Sequence, residues 1–247
     1  MEAIVLAGGL GTRLAGRLNN VPKPMAPVAG RPFLEILLAQ LQRAGCARAI
    51  LSVGHLHEAI ENHFGLEFRG MRVDYAIENA PLGTGGAIRA ALEHAGEESV
   101  LVLNGDTFLD ADYAALLRHH ERQAAPLTIA VTHCANVARY GGVVIESNTE
   151  GEGGQSGDGL RVTGFQEKGP TSASPVAGMI NAGAYAMRKD LRWPADLPQK
   201  FSFETDFLAV RIGSLTPAAF PVTGFFLDIG VPEDLDRAQT ELLRFLE

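Results

Sequence analysis

Through the first hundred residues, short continuous apolar runs alternate with stretches of helical spacing, and few folds accommodate that order. Residues 3–6, 49–53, 73–77 and 100–103 read as strands, and 32–44, 56–64 and 85–95 as helices. The first helix gathers Phe33, Leu34, Leu37, Leu38 and Leu41 on one face and stops at Gly45. Strands that are apolar at every position are buried on both faces. The succession therefore predicts a mostly parallel sheet with helices on either side, and ligands beyond the carboxyl ends of its strands.

After a helix over 113–123 the alternation breaks, with strands at 127–133, 142–146 and 161–166. Residues 147–159, rich in Gly, Glu, Ser and Asp, predict an exposed hairpin loop without a core of its own. A strand over 182–187, a helix over 203–212, a strand over 224–227 and an amphipathic helix over 232–245 follow, Pro232 suiting the first turn of the last. The expected fold class is α/β, a Rossmann-like three-layer sandwich with a mostly parallel mixed central sheet, formed as a single domain over 1–247.

Hydrophobic residues make up 46% of the chain and charged residues 20%, a globular balance. A formal net charge of −8 argues against nucleic acid as a partner, since a duplex-binding protein needs a basic face. A small ligand is expected, and an anionic one must be held by local cations against the overall field. Met1 to Ala7 has no basic flank and runs into glycines too soon for a signal peptide or spanning helix, so a cytoplasmic protein without a membrane partner is expected. Cys46 and Cys134 are too few for a disulfide framework and are expected as buried thiols. His55, His57, His63, His119 and His120 lack zinc spacing with an acid and read as surface or internally satisfied.

Ala7-Gly8-Gly9-Leu10-Gly11-Thr12-Arg13-Leu14 follows the first strand, so its backbone amides can face a phosphate without side-chain obstruction. It matches neither common phosphate loop: G-x-G-x-x-G fails at Leu14, and no Gly-Lys-Ser/Thr follows. Hydride transfer and ordinary ATPase chemistry lose support. Arg13 and Lys23, the latter stiffened in Val21-Pro22-Lys23-Pro24-Met25, place two cations just downstream, as a leaving pyrophosphate requires. A tight turn with solvated cations is the alternative.

Asn104-Gly105-Asp106-Thr107 directly follows an apolar run, and so does Asp228 in Phe225-Phe226-Leu227-Asp228-Ile229-Gly230. Two acids from separate strand ends suit a divalent cation that offsets charge between anionic reactants. Both could instead cap helices, as Asp110 and Asp112 are expected to do. Glu78 and Thr84 flank Pro81-Leu82-Gly83 ahead of a helix, where Thr84 is a plausible N-cap. Glu167-Lys168 adds a cation at a strand end, and Asn181 and Glu204 supply the donor and acceptor that sugar hydroxyls need.

Gly8 to Leu14 and Pro22 to Pro24 match, position by position, the G-G-x-G-T-R-L and P-K-P opening of the sugar 1-phosphate nucleotidyltransferases, which the chain resembles over nearly its whole length. The resemblance implies the nucleotide-diphospho-sugar transferase type of fold and joining of a nucleoside triphosphate to a sugar 1-phosphate, with Mg²⁺ as cofactor. It implies nucleotide contacts at Leu6, Gly8, Gly9, Gly11, Thr12, Arg13, Lys23, Glu78, Gly83 and Thr84, with Arg13, Lys23 and Asp106 catalytic. Asp106 and Asp228 would hold the metal. Asn104, Gly105, Gly142, Glu167, Lys168, Asn181, Gly183 and Glu204 would meet the sugar phosphate.

Within the family, P-K-P-M-A-P-V, P-L-G-T-G-G-A-I, R-Y-G, I-N-A-G and F-S-F-E are most similar to D-glycero-D-manno-heptose 1-phosphate guanylyltransferases. Glu78 favours GTP, because a carboxylate can accept from guanine's adjacent N–H donors where uracil offers one. A mannose-1-phosphate guanylyltransferase, a uridylyltransferase, or a silent nucleotide-sugar sensor regulating another protein are the rivals, and a homodimer is left open.

Overall fold

The computed structural model describes residues 1–9, 11, 14, 18, 21–147, 159–166 and 176–246. In chain order the elements are β1 (Glu2–Leu6), β2 (Pro27–Val28), β3 (Arg31–Pro32), α1 (Phe33–Arg43), β4 (Arg48–Val53), α2 (His57–Phe64), β5 (Glu67–Phe68), β6 (Met71–Ile77), α3 (Gly83–Leu92), β7 (Ser99–Asn104), β8 (Thr107–Leu109) and α4 (Tyr113–Gln123). β9 (Leu127–Cys134), β10 (Val143–Ser147), β11 (Leu160–Phe165), β12 (Gly178–Arg188), α5 (Ala209–Leu215), β13 (Ala218–Val222), β14 (Phe226–Asp228) and α6 (Pro232–Glu241) follow.

One ten-stranded sheet runs in the order β10-β11-β13-β9-β12-β7-β1-β4-β6-β5. β1 pairs in parallel with β4 and β7, and β4 with β6, as the apolar runs require. β12 then enters antiparallel between β7 and β9. Strands β1, β4, β6, β7, β9, β10 and β13 share one direction, which β5, β11 and β12 oppose. The sheet is thus mixed and mostly parallel, with its parallel half built from the regular alternation.

Leu34, Leu38 and Leu41 of α1, Ile60 and Phe64 of α2, and Leu116 of α4 bury one face. Ile88, Ala91 and Leu92 of α3 cover the other together with Phe203 and Phe207. A third cluster joins Phe33 and Leu37 of α1 to Phe108, Leu227 and Leu235, clamping α6 over β8 and β14. Burying one such leucine or phenylalanine contributes roughly 1.5–3 kcal/mol, so these layers dominate the stability.

Several expectations are refined. Residues 203–212 begin as a π-helical turn over Phe203–Leu208 before α5, and the last helix ends at Glu241, with a 3₁₀ turn over Leu243–Phe245. Asp112 caps α4 by accepting from the Ala115 N–H at 2.8 Å, whereas Asp110 does not cap; its own N–H donates to the Phe225 carbonyl. Cys46 is buried but Cys134 is partly exposed. His120 is buried against Thr128 Oγ1 at 2.9 Å, and burial pushes its pKa down to about 4. Residues 148–158, the bulk of the glycine-rich loop, lie outside the described residues.

Candidate active site

The loops after β1, β4, β6 and β7 leave the same edge of the sheet, where backbone hydrogen bonds fasten them together. Ala7 N–H donates to Ser52 at 2.7 Å, Gly105 N–H to Leu6 at 3.0 Å, and Glu78 N–H to Val53 at 2.8 Å. They wall a cleft of about 490 Å³ lined by Leu6, Gly8, Gly9, Gly11, Lys23, Glu78, Gly83, Thr84, Asn104 and Asp106. These residues come from positions 6 to 106, and the sheet order makes them neighbours. Thr12 and Arg13 lie outside the described residues.

A second cleft of about 750 Å³ shares Asn104, Asp106 and Glu204 with the first and adds Gly142, Asn181, Gly183 and Asp228. Gly105 lines neither; it is buried beneath the floor, hydrogen-bonded to Leu6. Glu167 and Lys168 lie outside the described residues. One elongated depression therefore has a glycine-loop half and a half rich in amide, carboxylate and aromatic groups.

The acids stand where the halves meet. β8 and β14 form an antiparallel ladder in which Asp228 faces Thr107, 121 positions away in sequence, and this brings the second acid beside the first. The Thr107 hydroxyl lies 3.3 Å from Asp106 Oδ1 and 3.4 Å from Asp228 Oδ2, so one small group touches both carboxylates. Lys23, fixed in a 3₁₀ turn over Lys23–Met25, donates to Asp106 Oδ2 at 2.5 Å. Gly230 N–H donates to Asp228 Oδ1. Burial, and next the charge of Asp106, push the Asp228 carboxyl above its usual range, against the pull of Lys23, Gly230 and Arg139.

Two adjacent carboxylates with one ammonium paired to Asp106 leave an excess of hard oxygen donors. That set fits a divalent cation held by one or two protein carboxylates whose other ligands come from phosphates and water.

Glu78 lies against the glycine loop: a Cβ on Gly8 would come within 2.8 Å of its Oε1. Its oxygens accept from Ser52 Oγ at 3.2 Å and Leu82 N–H at 3.0 Å, leaving lone pairs facing the cleft. Thr84 is not an N-cap. α3 starts at Gly83, and the Thr84 hydroxyl instead accepts from the Phe203 N–H at 2.9 Å. Phe201 N–H donates to Leu82 and Gly85 N–H to Phe201, each at 3.0 Å, so residues 201–203 are laced to the start of α3.

That lacing carries Glu204 to the shared wall. Asn181 Nδ2 donates to Tyr185 Oη at 2.7 Å and Glu204 Oε1 at 3.2 Å, and the Tyr185 hydroxyl also reaches Glu204 at 3.3 Å. Burial, then the Glu204 charge, hold the Tyr185 phenol far above its ordinary pKa, so it remains a donor. Between Asn181 and Tyr185 the pairing with β9 shifts register; Asn181 lines the second cleft and Tyr185 the first.

Sequence reasoning missed Lys200 and Ser202 in the first cleft, and Tyr140, Gln166 and Phe226 in the second. Lys200 and Ser202 adjoin Glu204, and Tyr140 sits inside R-Y-G, so those motifs held the signal. Phe226 likewise stands inside the run around Asp228, and Gln166 directly precedes Glu167-Lys168.

The family model for Nucleotidyl transferase matches residues 2–244. The chain is 39% identical over 246 residues, 100% of each protein, to D-glycero-alpha-D-manno-heptose 1-phosphate guanylyltransferase of Aneurinibacillus thermoaerophilus. It is 38% identical to the protein of that name from Campylobacter jejuni, over 95% of this chain and 96% of that one. HddC from Yersinia pseudotuberculosis complexed with GMP-PN superposes with a TM-score of 0.78 at 34% identity, covering 96% of this chain and 97% of the other. No described helix is long and apolar enough to cross a membrane. A match that spans almost every residue, supported by full-length relatives in both sequence and structure, means that the chain belongs to the nucleotidyl transferase family.

Proposed function

We propose that the chain is a sugar-1-phosphate nucleotidyltransferase that joins GTP to D-glycero-D-manno-heptose 1-phosphate, giving GDP-heptose and pyrophosphate. The observation that carries this reading is the meeting of Asp106, Asp228 and Lys23 on the boundary shared by the two clefts. A donor nucleotide in one cleft and an acceptor phosphate in the other would meet there. The full-length heptose 1-phosphate guanylyltransferase relatives and the GMP-PN complex of HddC favour the guanine and heptose assignments. We read 1–247 as one catalytic domain, working in the cytoplasm where the GTP pool is.

A phosphate oxygen of the sugar attacks the α-phosphorus in line; the new P–O bond forms as the bond to the β-phosphate oxygen breaks, and pyrophosphate leaves. No covalent enzyme intermediate is needed, so positioning and charge stabilisation supply the catalysis. Backbone N–H groups of Gly8, Gly9 and Gly11 cradle the phosphates, with Lys23 and Arg13 balancing their charge. Glu78 accepts from the guanine edge. Lys168, Asn181 and Glu204 hold the sugar phosphate and its hydroxyls. Asp106 and Asp228 would hold Mg²⁺, which when bound supplies positive charge to the oxygens around the α-phosphorus.

Pyrophosphate release, followed across four nucleoside triphosphates and a panel of sugar 1-phosphates, tests this directly. The highest kcat/KM is expected for GTP with the heptose phosphate, with turnover abolished by a chelator and restored by Mg²⁺. Activity with UTP alone would overturn the base assignment, and nucleotide binding without turnover of any pair would make the protein a sensor.

Thr84→Val tests the lacing of the two halves. It leaves the Phe203 N–H without its acceptor, a cost of about 1–3 kcal/mol. Because that N–H precedes Glu204, we expect the KM for the sugar phosphate to rise roughly tenfold and Thr84→Ser to restore it. A rise confined to the KM for GTP would place the hydroxyl on the nucleotide instead.

A further inference from the structure

Asp234, in the first turn of α6, is 3% exposed and takes no part in the chemistry above. Arg237 reaches its Oδ1 at 3.1 Å from one turn along the same helix, then turns outward to Glu241. The other oxygen forms an ion pair with Arg139, which arrives from a distant part of the chain. Only the Asp234 end of this ion pair is buried, and such a pair adds little net stability because desolvation offsets much of the attraction. Losing one partner, however, strands the buried carboxylate, which ties together the elements the pair joins.

The elements joined here are α6 and the wall of the second cleft. The Arg139 guanidinium lies over the Tyr140 ring, 5.0 Å from its centroid. Tyr140 in turn meets Phe226 edge to face, with centroids 5.4 Å apart at 84°. Tyr140, Gly141, Gly142 and Phe226 all line that cleft, and Phe226 stands two residues before Asp228. Arg139 itself lies behind this wall, with its planar group clamped between a carboxylate and a ring.

We propose that Asp234 and Arg139 are a positioning pair that sets the Tyr140 wall against Asp228 and so fixes the pose of the sugar 1-phosphate. This deepens the proposed function and rests on it. A lysine can neutralise Asp234 but cannot present a flat guanidinium to Tyr140, so it separates charge from geometry. Among the described residues neither member of the pair lines the glycine-loop cleft, so the effect is expected on the sugar half.

The test is steady-state kinetics on the full chain with Mg²⁺, varying each substrate in turn, for the parent, Arg139→Lys, Arg139→Met and Asp234→Asn. In Arg139→Lys and Asp234→Asn the KM for the sugar 1-phosphate is expected to rise about tenfold or more while the KM for GTP moves less than about twofold. Arg139→Met is expected to show the largest rise, with Arg139→Lys between it and the parent. Should Arg139→Met not fold, the lysine variant, whose thermal midpoint should stay near the parent's, carries the result. Equal rises in both KM values, a change in kcat alone, or parental constants in Arg139→Lys and Asp234→Asn would overturn the pair's role. A parent that turns over no sugar 1-phosphate would instead refute the function on which the pair depends.

Discussion

Replacing Asp106 by Asn is expected to lower kcat about a thousandfold, the equivalent of roughly 4 kcal/mol of transition-state stabilisation. The amide can still accept a hydrogen bond from Lys23, which lies 2.5 Å from the carboxylate now. It brings no charge, and a divalent cation is then left with Asp228 as its one charged protein ligand among the residues proposed to hold it. The fold should not suffer. Asp106 is partly exposed at a cleft, and its charge is one of the causes that push the Asp228 carboxyl up, so its removal relieves a like-charge contact. A thermal midpoint within about 2 °C of the parent is expected alongside the lost turnover. Pyrophosphate release at saturating substrates, repeated over a Mg²⁺ titration, is the measurement; partial recovery at high Mg²⁺ would locate the defect in metal affinity. Turnover undiminished at all Mg²⁺ concentrations would take Asp106 out of the metal site.

That expectation depends on a contact the chain's periodicity does not reveal. Asp106 and Asp228 were each legible as acids at strand ends, because each follows a continuous apolar run, Val100–Leu103 and Phe225–Leu227. What joins them is the ladder between β8 and β14, and Thr107–Leu109 offers only two apolar residues between Thr107 and Asp110, so it carries no strand pattern. β13 went unread for a related reason: Pro221 breaks its pattern, and it is held by parallel pairing to β9, a contact between distant segments. The parallel half of the sheet was legible because continuous apolar runs and amphipathic helices report burial locally.

Thr84 shows the limit at single-residue scale. A threonine near the start of a helix is as good an N-cap in isolation as any, yet its hydroxyl answers to Phe203, 119 positions away. Propensity describes what a residue can do alone, and tertiary contact decides which of those options is used. The same holds for Glu204, whose position follows from a π-helical turn and from Asn181 and Tyr185, none of which local spacing encodes.

Gly83→Ala is expected to be costly for both stability and catalysis, and the two losses share one cause. Gly83 has φ +68°, a left-handed conformation that costs a side-chain-bearing residue about 1 kcal/mol. Its added Cβ would also stand 2.5 Å from the Phe201 carbonyl oxygen and 3.0 Å from its carbon. That carbonyl accepts from the Gly85 N–H while the Phe201 N–H donates to Leu82, so the backbone cannot retreat without breaking the lacing. Overpacking of this kind adds about 1–3 kcal/mol, for a total of roughly 2–4 kcal/mol. At about 2–4 °C per kcal/mol for a chain of this size, the midpoint should fall by roughly 5–15 °C. Any relaxation displaces Lys200, Ser202 and Glu204 with Phe201, so both KM values should rise, in contrast to the selective effect expected at Thr84. Gly9→Ala is the control for stability, since a Cβ there meets nothing within 4 Å among the described residues. If the Gly83 variant melts with the parent and keeps both KM values, the start of α3 and residues 201–203 do not form the close contact on which the coupling of the two clefts relies.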